Sequence, residues 1–237
     1  MNWQYIYSVM PQFASAMVTT LKISIISIIL AILVGLICSI LITYRVRVFG
    51  KIAKIYIELS RNTPLLIQLF FLYYGLPKLG IKIDGFTCGV IGLTFLGGSY
   101  MAEAFRAGLQ AVAKGQIDSG ESIGLNPLQV FQYVIFPQAL AISIPAIGAN
   151  CLFLIKESSV VSAIAVVELL FVTKDLIGMD YKTTEALFLL IMSYLIILLP
   201  VSILTSYLEY RSRKVSHGIW LFVSTQPPCT ITGRAMG

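Results

Sequence analysis

The sequence predicts an all-α membrane protein with five transmembrane helices. Of its 237 residues, 57% are hydrophobic and 12% are charged, a composition too apolar for a domain whose surface faces water. A bilayer core about 30 Å thick requires roughly 20 helical residues. Residues 23–43 and residues 186–208 exceed that length without a single charge. They are therefore the first and the last predicted spans.

The second and third spans carry charges only near one end. Residues 55–77 form the predicted second span, with Glu58 and Arg61 near its start. Residues 86–110 form the third, and the charged residues Glu103 and Arg106 lie near its far end. Long charged side chains at a span end can reach water, so both segments still fit the membrane.

The fourth span is placed with the help of two prolines. Residues 125–155 contain no charge, but Pro137 and Pro145 are expected to break a helix, so a loop precedes Pro137 and the span follows it. Residues 158–167 are apolar yet too short to cross. We expect them to form a re-entrant or surface helix that packs against the bundle.

Lysine and arginine cluster on one side of these spans and predict the orientation. Cytoplasmic loops carry an excess of basic residues, so the N-terminus is expected outside and the C-terminus in the cytoplasm. The basic residues that follow the first, third and fifth spans are Arg45, Arg47, Lys51 and Lys54, then Arg106 and Lys114, then Arg211, Arg213 and Lys214.

The chain divides into three parts. Residues 1–18 mix aromatic and polar residues, which fits a short interfacial helix and fits a loose terminus equally well. No basic region or cleavage pattern marks a signal peptide there. Residues 19–208 contain the five spans and form the predicted transport domain. Residues 209–237 form a predicted cytoplasmic tail, to which we assign no function.

Sequence motifs for enzymes and metal sites are missing. Gly75 and Gly80 have the outer spacing of a phosphate-binding loop, but Ile81 stands where its lysine must be. The single histidine, His217, lies in the tail, and neither a zinc-protease nor a serine-hydrolase motif is present. We therefore expect no catalytic residue, no metal site and no cofactor in this chain. The thiols of Cys38, Cys88, Cys151 and Cys229 are not at metal-ligand spacing and are expected to serve packing.

The formal charge of +6 does not indicate nucleic-acid binding, because the basic residues lie beside apolar spans. Residues 118–137, DSGESIGLNPLQVFQYVIFP, instead predict a helix–turn–helix. Residues 118–123 can form a short helix, Gly124 suits the left-handed residue after it, Asn126 suits an N-cap and Pro127 the first turn of the next helix. The pattern alone also fits an ordinary amphipathic connector at the membrane surface.

The spacing of this segment resembles the "EAA" signature of permease subunits in ATP-binding cassette (ABC) importers. That signature runs Glu-Ala-Ala, three residues, Gly, nine residues, Ile-x-Leu-Pro. Here Asp118, Ser119 and Gly120 replace the first three residues, Gly124 and Pro137 match, and other apolar residues precede the proline. Neighbouring sequences resemble the polar amino acid branch of the family: Lys114-Gly115-Gln116, Pro137-Gln138-Ala139, Arg61 to Gln68, and Lys156 to Ser159.

The resemblance implies a type I ABC importer permease fold with a cytoplasmic coupling helix at about residues 118–124. It implies that two cytosolic ATPase subunits bind ATP and Mg²⁺ and act on Asp118, Ser119, Gly120, Gly124 and Pro137. A second permease subunit, identical or homologous, and an extracytoplasmic solute-binding protein complete the expected assembly in a bacterial cytoplasmic membrane. Importers of glutamine, glutamate, arginine, lysine and histidine share these sequences. The tail is atypical for the family.

A pathway for a zwitterion needs fixed polar groups within the spans. Ser99, Glu103, Asn150 and Glu157 are the candidates in this sequence. Glu103 and Arg106 lie three residues apart on one helical face, which predicts an ion pair, with a gating or substrate role as the alternative. Small residues in the spans are expected to allow close helix packing; they are Gly35, Gly89, Gly92, Gly97 and Gly98.

Two other classes of function fit a polytopic membrane protein. A secondary transporter or channel would move solute without ATP, but five spans without an inverted repeat do not favour it. A structural anchor would bind a peripheral partner through residues 118–137 and carry no solute. Solute flux measured with and without ATP separates the three classes.

Overall fold

A computed structural model of the protein describes residues 2–224, with side chains as far as Ser212. Every regular element in this part of the chain is helical, which confirms the predicted all-α class. Its α-helices are α1 (Trp3–Thr43), α2 (Phe49–Asn62), α3 (Leu65–Phe70), α4 (Gly85–Ala111), α5 (Lys114–Ser122), α6 (Pro127–Val130), α7 (Phe136–Glu157), α8 (Leu169–Asp180) and α9 (Thr183–Ser224).

Four helical stretches in the described part of the chain are long and apolar enough to cross a membrane. They contain the predicted first, third, fourth and fifth spans, and they are Trp3–Thr43, Gly85–Ala111, Pro127–Ile164 and Thr183–Ser212. The second predicted span is not a single helix. It is broken at Thr63 and Pro64, and only the shorter apolar helix Leu65–Leu79 continues beyond the break. Proline lacks an amide hydrogen and forces the preceding residue out of helical geometry, and Thr63 is extended (φ −116°, ψ 131°).

The predicted breaks at Pro137 and Pro145 are wrong. The chain stays helical from Pro127 to Ile164, through a π-helical turn over Phe131–Ile135 that joins α6 to α7. After this turn Pro137 falls in the first turn of α7, where its missing amide hydrogen costs little. Pro145 lies inside α7 without ending it, as prolines do in membrane helices when neighbouring helices support them.

Both ends of the transport domain are continuous with their flanking segments. α1 begins at Trp3 and runs without interruption into the first span, so residues 3–18 are not a separate helix. Their position at the membrane surface stays a prediction. α9 continues past Leu208 to Ser224, and residues 225–237 of the predicted tail lie outside the described residues.

α4 is the most deeply buried of the long helices and packs between α1 and α7. A Cβ atom built on Gly35 of α1 would lie 2.5 Å from Cβ of Met101 and 2.7 Å from the amide nitrogen of Ala102 on α4. On the other side of α4, a Cβ on Gly108 would overlap the carbonyl oxygen of Ala139. A Cβ atom built on any of four other glycines would lie 2.5 to 2.6 Å from the nearest atom of a neighbouring side chain; they are Gly89, Gly92, Gly97 and Gly98. The predicted packing role of these glycines is confirmed.

Residues after α7 pack against the bundle, as predicted. Ser158–Ile164 forms a 3-10 helix whose Val161 and Ile164 are buried in the core with Ile23. α8 follows and was not predicted from the sequence. Its buried apolar residues recur at helical spacing, and this periodicity is the signal that could have identified it; they are Leu169, Val172 and Leu176.

The N-cap of α8, Glu168, is a fully buried carboxylate. It accepts hydrogen bonds from the amides of Leu170 at 2.9 Å and Phe171 at 2.6 Å. Burial raises the pKa of Glu168 to about 7, although these amides and the charge of Lys174 favour the ionised form. The folded protein therefore holds a proton here more tightly than an exposed glutamate does.

We expect Gly35→Ala to destabilise the protein by about 1–3 kcal/mol, because the added methyl group meets the backbone of α4. Gly178→Ala is the matched control, since nothing lies within 4 Å of the added atom on the exposed end of α8. Thermal unfolding in detergent micelles measures both. Equal melting temperatures for the two variants would contradict the packing described here.

Stability should depend on pH through Glu168. Its pKa in the folded state, about 7, lies above the ordinary value of 4.5, so the stabilising effect of the bound proton is present at low pH and is lost as pH rises through about 7. We expect the melting temperature of wild type, relative to Glu168→Gln, to fall between about pH 5 and about pH 8. A difference that stays constant over this range would argue against the raised pKa.

Candidate functional site

The chain between α4 and α7 contains two short helices joined by a tight turn. Gly124, after α5, is left-handed (φ 85°), and its amide donates to the carbonyl of Glu121 at 2.9 Å. The amide of Leu125 donates to the carbonyl of Gly120 at 3.2 Å, which completes a Schellman motif. The predicted short helix and left-handed glycine are confirmed, and the helix begins earlier than predicted, at Lys114.

A capping box begins the second helix. The side-chain oxygen of Asn126 accepts from the amide of Gln129 at 2.9 Å, and the side-chain oxygen of Gln129 accepts from the amide of Asn126 at 2.9 Å. Pro127 occupies the first turn of α6. These contacts confirm the predicted N-cap and proline position. With the end of α5 and the start of α6 both capped, the segment has a defined shape.

Gly120 lies buried where α5 crosses the chain that follows it. A Cβ at this position would stand 3.4 Å from Val130, 3.5 Å from Val134 and 3.7 Å from Leu125, which are ordinary van der Waals distances. An alanine therefore fits here, as in the EAA signature that the sequence resembles. The replacement of that alanine by Gly120 leaves the crossing of the two helices intact.

The outer face of this segment is apolar at its centre. Ile123 is 79% exposed, Leu128 is 64% exposed and Tyr133 is 70% exposed. Asp118 and Ser119 are exposed on α5, and the hydroxyl of Ser119 donates to the carbonyl of Gly115 at 2.7 Å. An exposed apolar patch of this kind is a candidate docking surface for a partner.

The inner face of the segment is tied to the ends of the membrane helices. The ring of Phe131 contacts the ring of Tyr44 after α1, with centroids 5.7 Å apart, and the ring of Phe136 at 5.8 Å. Leu109 of α4 and Ala139 of α7 form a small buried cluster beside them. Pro137 is exposed next to this cluster, at the start of α7. The loop is therefore packed against the start of α7.

A second feature is the break between α2 and α3. The side chain of Gln68 donates to the carbonyl of Ser60 at 3.2 Å, the carbonyl of Thr63 at 3.1 Å and the hydroxyl of Thr63 at 2.8 Å. The hydroxyl of Thr63 donates to the carbonyl of Leu59 at 2.7 Å. These bonds satisfy carbonyl groups that have no helical partner because Pro64 lacks an amide hydrogen, and they fix the end of α2. The residues from Arg61 to Gln68 thus form a structured break, although no side chain caps the start of α3.

A cavity of about 250 Å³ opens beside this break, between α2, α4 and α7. Its wall combines a cation and an anion, Arg61 and Glu157, with the rings of Tyr100 and Phe153. A neighbouring cavity of about 270 Å³ adds Glu58 and shares Arg61 and Tyr100. Charged and aromatic groups that converge on one concave site are typical of binding sites for small polar molecules.

Arg61 connects the charged groups around the cavity. Its guanidinium lies over the ring of Tyr100 at 5.5 Å, and one of its nitrogens is 4.0 Å from a carboxylate oxygen of Glu103. Glu103 also pairs with Arg106, whose Nε lies 3.3 Å from the other carboxylate oxygen. The predicted ion pair between Glu103 and Arg106 is confirmed, and Arg61 adjoins it.

The structure brings three of the four predicted pathway residues around this cavity. Glu157 lines it, and Glu103 adjoins it through Arg61. Ser99 is buried behind it and accepts from the hydroxyl of Ser60 at 3.0 Å. Asn150 lies about two turns before Glu157 on α7 and is not among the residues that line the described cavity. Sequence reasoning missed Tyr100, which only the folded chain places next to Arg61.

α7 connects the two features. It is 22 residues long, roughly 33 Å, and runs from the Phe136 contacts of the loop to Glu157 in the cavity wall. The hydroxyl of Ser143 on α7 donates to the carbonyl of Ala104 on α4 at 3.1 Å. One helix, tied to α4 near its middle, therefore joins the loop to the cavity wall.

Residues 31–214 match the family model described as "Binding-protein-dependent transport system inner membrane component". This match covers most of the chain and includes both the loop and the cavity.

Individual relatives agree with this match. A probable glutamine ABC transporter permease protein of Bacillus subtilis is 38% identical over 67% of this chain and 74% of its own length. A probable amino-acid permease protein of the same organism is 32% identical over 90% of this chain and 96% of its own.

A crystal structure described as an amino acid ABC transporter with histidines is also similar. It superposes with a TM-score of 0.82 at 32% identity, over 89% of this chain and 99% of the other. The methionine ABC transporter MetNI, at 17% identity and a TM-score of 0.72, shares the fold. The chain belongs to the family of binding-protein-dependent transport system inner membrane components, and it is a permease subunit of an ABC importer.

Proposed function

We propose that this permease carries a polar amino acid across the membrane through the cavity at the break between α2 and α3. The observation that carries the proposal is that Arg61 and Glu157 line one cavity with two aromatic rings. An amino acid zwitterion has a carboxylate, which is complementary to Arg61, and an ammonium group, which is complementary to Glu157. The relatives described as glutamine and amino-acid permeases support a substrate in the glutamine, glutamate, arginine, lysine and histidine class.

Each charged residue has a distinct part in this proposal. Arg61 binds the substrate carboxylate, because a guanidinium donates two parallel hydrogen bonds to a carboxylate. Glu157 accepts from the substrate ammonium, and Tyr100 and Phe153 contact its carbon chain. Glu103 holds Arg61 in position, and Ser99 supports the wall through Ser60.

Asn150 has a different part. It lies outside the cavity wall, on the stretch of α7 between the loop and Glu157. It becomes part of the pathway only after the substrate has left the cavity.

The loop from Asp118 to Pro137 is the proposed contact with the ATPase. The capped α5, the left-handed Gly124 and the buried Gly120 give it a fixed shape. Ile123, Leu128 and Tyr133 supply an exposed apolar surface for docking, with Asp118 and Ser119 on its edge. Pro137 begins the helix that reaches the cavity, so closure of the ATPases moves Glu157 relative to Arg61 and switches the bundle between two packed states.

The complete transporter then contains two cytosolic ATPase subunits, which bind ATP and Mg²⁺, and a second permease subunit, identical or homologous. An extracytoplasmic solute-binding protein delivers the substrate. In this assembly residues 19–208 form the transport domain in a bacterial cytoplasmic membrane. The basic residues support an orientation with the N-terminus outside and the loop and C-terminus in the cytoplasm.

Reconstitution tests the class of function. The chain, co-purified with its ATPase and a second permease subunit, is placed in vesicles with the solute-binding protein. We expect a labelled polar amino acid to cross the membrane and accumulate only when ATP is present on the side of the membrane where the ATPase subunits lie. Accumulation driven by an ion gradient without ATP would identify a secondary transporter instead, and absence of flux under every condition would favour a structural anchor.

Neutralising the cavity charges should weaken substrate use. We expect Arg61→Gln and Glu157→Gln each to raise the KM for transport by about 10- to 100-fold, because each removes a charge-assisted hydrogen bond to the substrate. ATP hydrolysis without substrate should stay unchanged. Asp175→Asn, an exposed change on α8, is the control. Unchanged KM values in both cavity variants would show that the substrate passes elsewhere.

Replacing Gly124 should uncouple ATP hydrolysis from transport. A β-branched residue is strained at φ 85° by about 1–2 kcal/mol, so Gly124→Val should disrupt the turn and lower transport per ATP by roughly ten-fold. Gly124→Asn, which tolerates left-handed geometry, should retain most coupling. Gly115→Ala is the control on α5, where the added methyl meets no atom within 4 Å. Full coupling in Gly124→Val would refute a role for the turn.

A further inference from the structure

A second charged cavity lies at the opposite end of α2 and has no part in the proposed transport cycle. It has a volume of about 380 Å³ and is formed where α1 ends and α2 begins. Its lining includes Ile42 and Gly50. Four basic side chains also line it; they are Arg45, Arg47, Lys51 and Lys54. No acidic residue lines the cavity.

These four cations are not neutralised within the described part of the chain. None of them forms an ion pair there. The nearest acidic residue along the charged face of α2, Glu58, instead accepts a hydrogen bond from the side chain of Asn62 at 3.3 Å. Four like charges around one cavity repel each other, so an anion in the cavity would lower the energy of the folded protein.

One of these basic residues has an energetically unfavourable backbone conformation. Arg45 is left-handed (φ 51°), at the position after α1 where a Schellman motif usually has glycine. The amide of Val46 donates to the carbonyl of Leu41 at 3.1 Å, and the amide of Arg45 donates to that of Ile42 at 3.1 Å. A general excess of basic residues on one membrane side requires no arginine at this strained position. The strain is explained if the Arg45 side chain has a ligand.

The surroundings of the cavity are apolar and exposed. Phe49 is 62% exposed and Ile52 is 55% exposed, and both lie on a different face of α2 from Lys51 and Lys54. A third face of α2, which includes Ala53 and Ile57, is buried against the bundle. A helix with separate buried, apolar and basic faces fits the membrane surface, where acyl chains meet one face and headgroups meet another.

We propose that this cavity binds the phosphate group of an anionic phospholipid. The four cations match a phosphate anion, and the exposed apolar face beside them matches the acyl chains of a lipid rather than free phosphate. An acidic surface of a protein partner would match the cations but leave Phe49 and Ile52 unexplained. The lipid would lie against the junction of α1 and α2 and stabilise the geometry that begins α2, the helix whose last turn contains Arg61.

The test measures lipid binding to the full-length purified chain in detergent micelles, by native mass spectrometry. The probes are dioleoyl phosphatidylglycerol, dioleoyl phosphatidylcholine and inorganic phosphate. We expect phosphatidylglycerol to bind more tightly than phosphatidylcholine, and Arg47→Gln/Lys51→Gln to weaken phosphatidylglycerol binding by about thirty-fold. The variant Arg47→Lys/Lys51→Arg, which preserves both charges, should bind as wild type does.

Lys78→Gln/Lys82→Gln is the matched control, because it removes the same charge far from the cavity along the sequence. We expect it to leave phosphatidylglycerol binding unchanged. Equal weakening in both double variants would mean that net charge alone attracts the lipid, which overturns the proposal. Equal binding of the two lipids, or displacement of phosphatidylglycerol by millimolar inorganic phosphate, also overturns it. So does an Arg47→Gln/Lys51→Gln variant that binds phosphatidylglycerol as tightly as wild type does.

Discussion

Lipid supplies no hydrophobic force between helices, so a membrane bundle holds together where backbones approach closely and polar groups find partners. α4 meets both requirements. Gly35 lets α1 approach α4 on one side, and Gly108 lets α7 approach on the other. The hydroxyl of Ser143 links α7 to the backbone of α4 at 3.1 Å. The cavity lies between α2, α4 and α7, and the loop joins α4 to α7, so both depend on the position of α4.

This arrangement is the structural basis of the response to ATP that we propose for a subunit with no predicted nucleotide site. The loop is stiff because its turn and caps are complete, and it is anchored at Phe131 and Phe136. α7 then extends to Glu157, opposite Arg61 on α2. The break at Pro64 leaves Arg61 at a helix end in the cavity wall, next to Glu103 and Tyr100. A change in the position of α7 therefore alters the spacing of two opposite charges.

Local chemistry made part of this structure predictable. Gly124, Asn126 and Pro127 act within a few residues of themselves, so the loop geometry followed from the sequence. Long apolar segments with few or no charges predicted four of the spans, because length and hydropathy suffice for them. The predicted break at Pro137 was wrong because a π-helical turn over Phe131–Ile135 carries the helix into α7, and no pattern in the sequence indicated that turn. The cavity joins residues from three helices far apart in sequence, so Tyr100 could not be identified, and Asn150 was grouped with residues of a cavity that it does not line.

Thiol labelling of the assembled transporter tests the link between the loop and the cavity most directly. A cysteine replaces Phe153 in the cavity wall, in a chain whose native cysteines are replaced by serine. We expect a transported amino acid to slow labelling of this cysteine. We expect ATP to change the labelling rate when residue 124 is glycine but not in the Gly124→Val variant. A labelling rate that neither the amino acid nor ATP alters would show that the loop and the cavity are not linked.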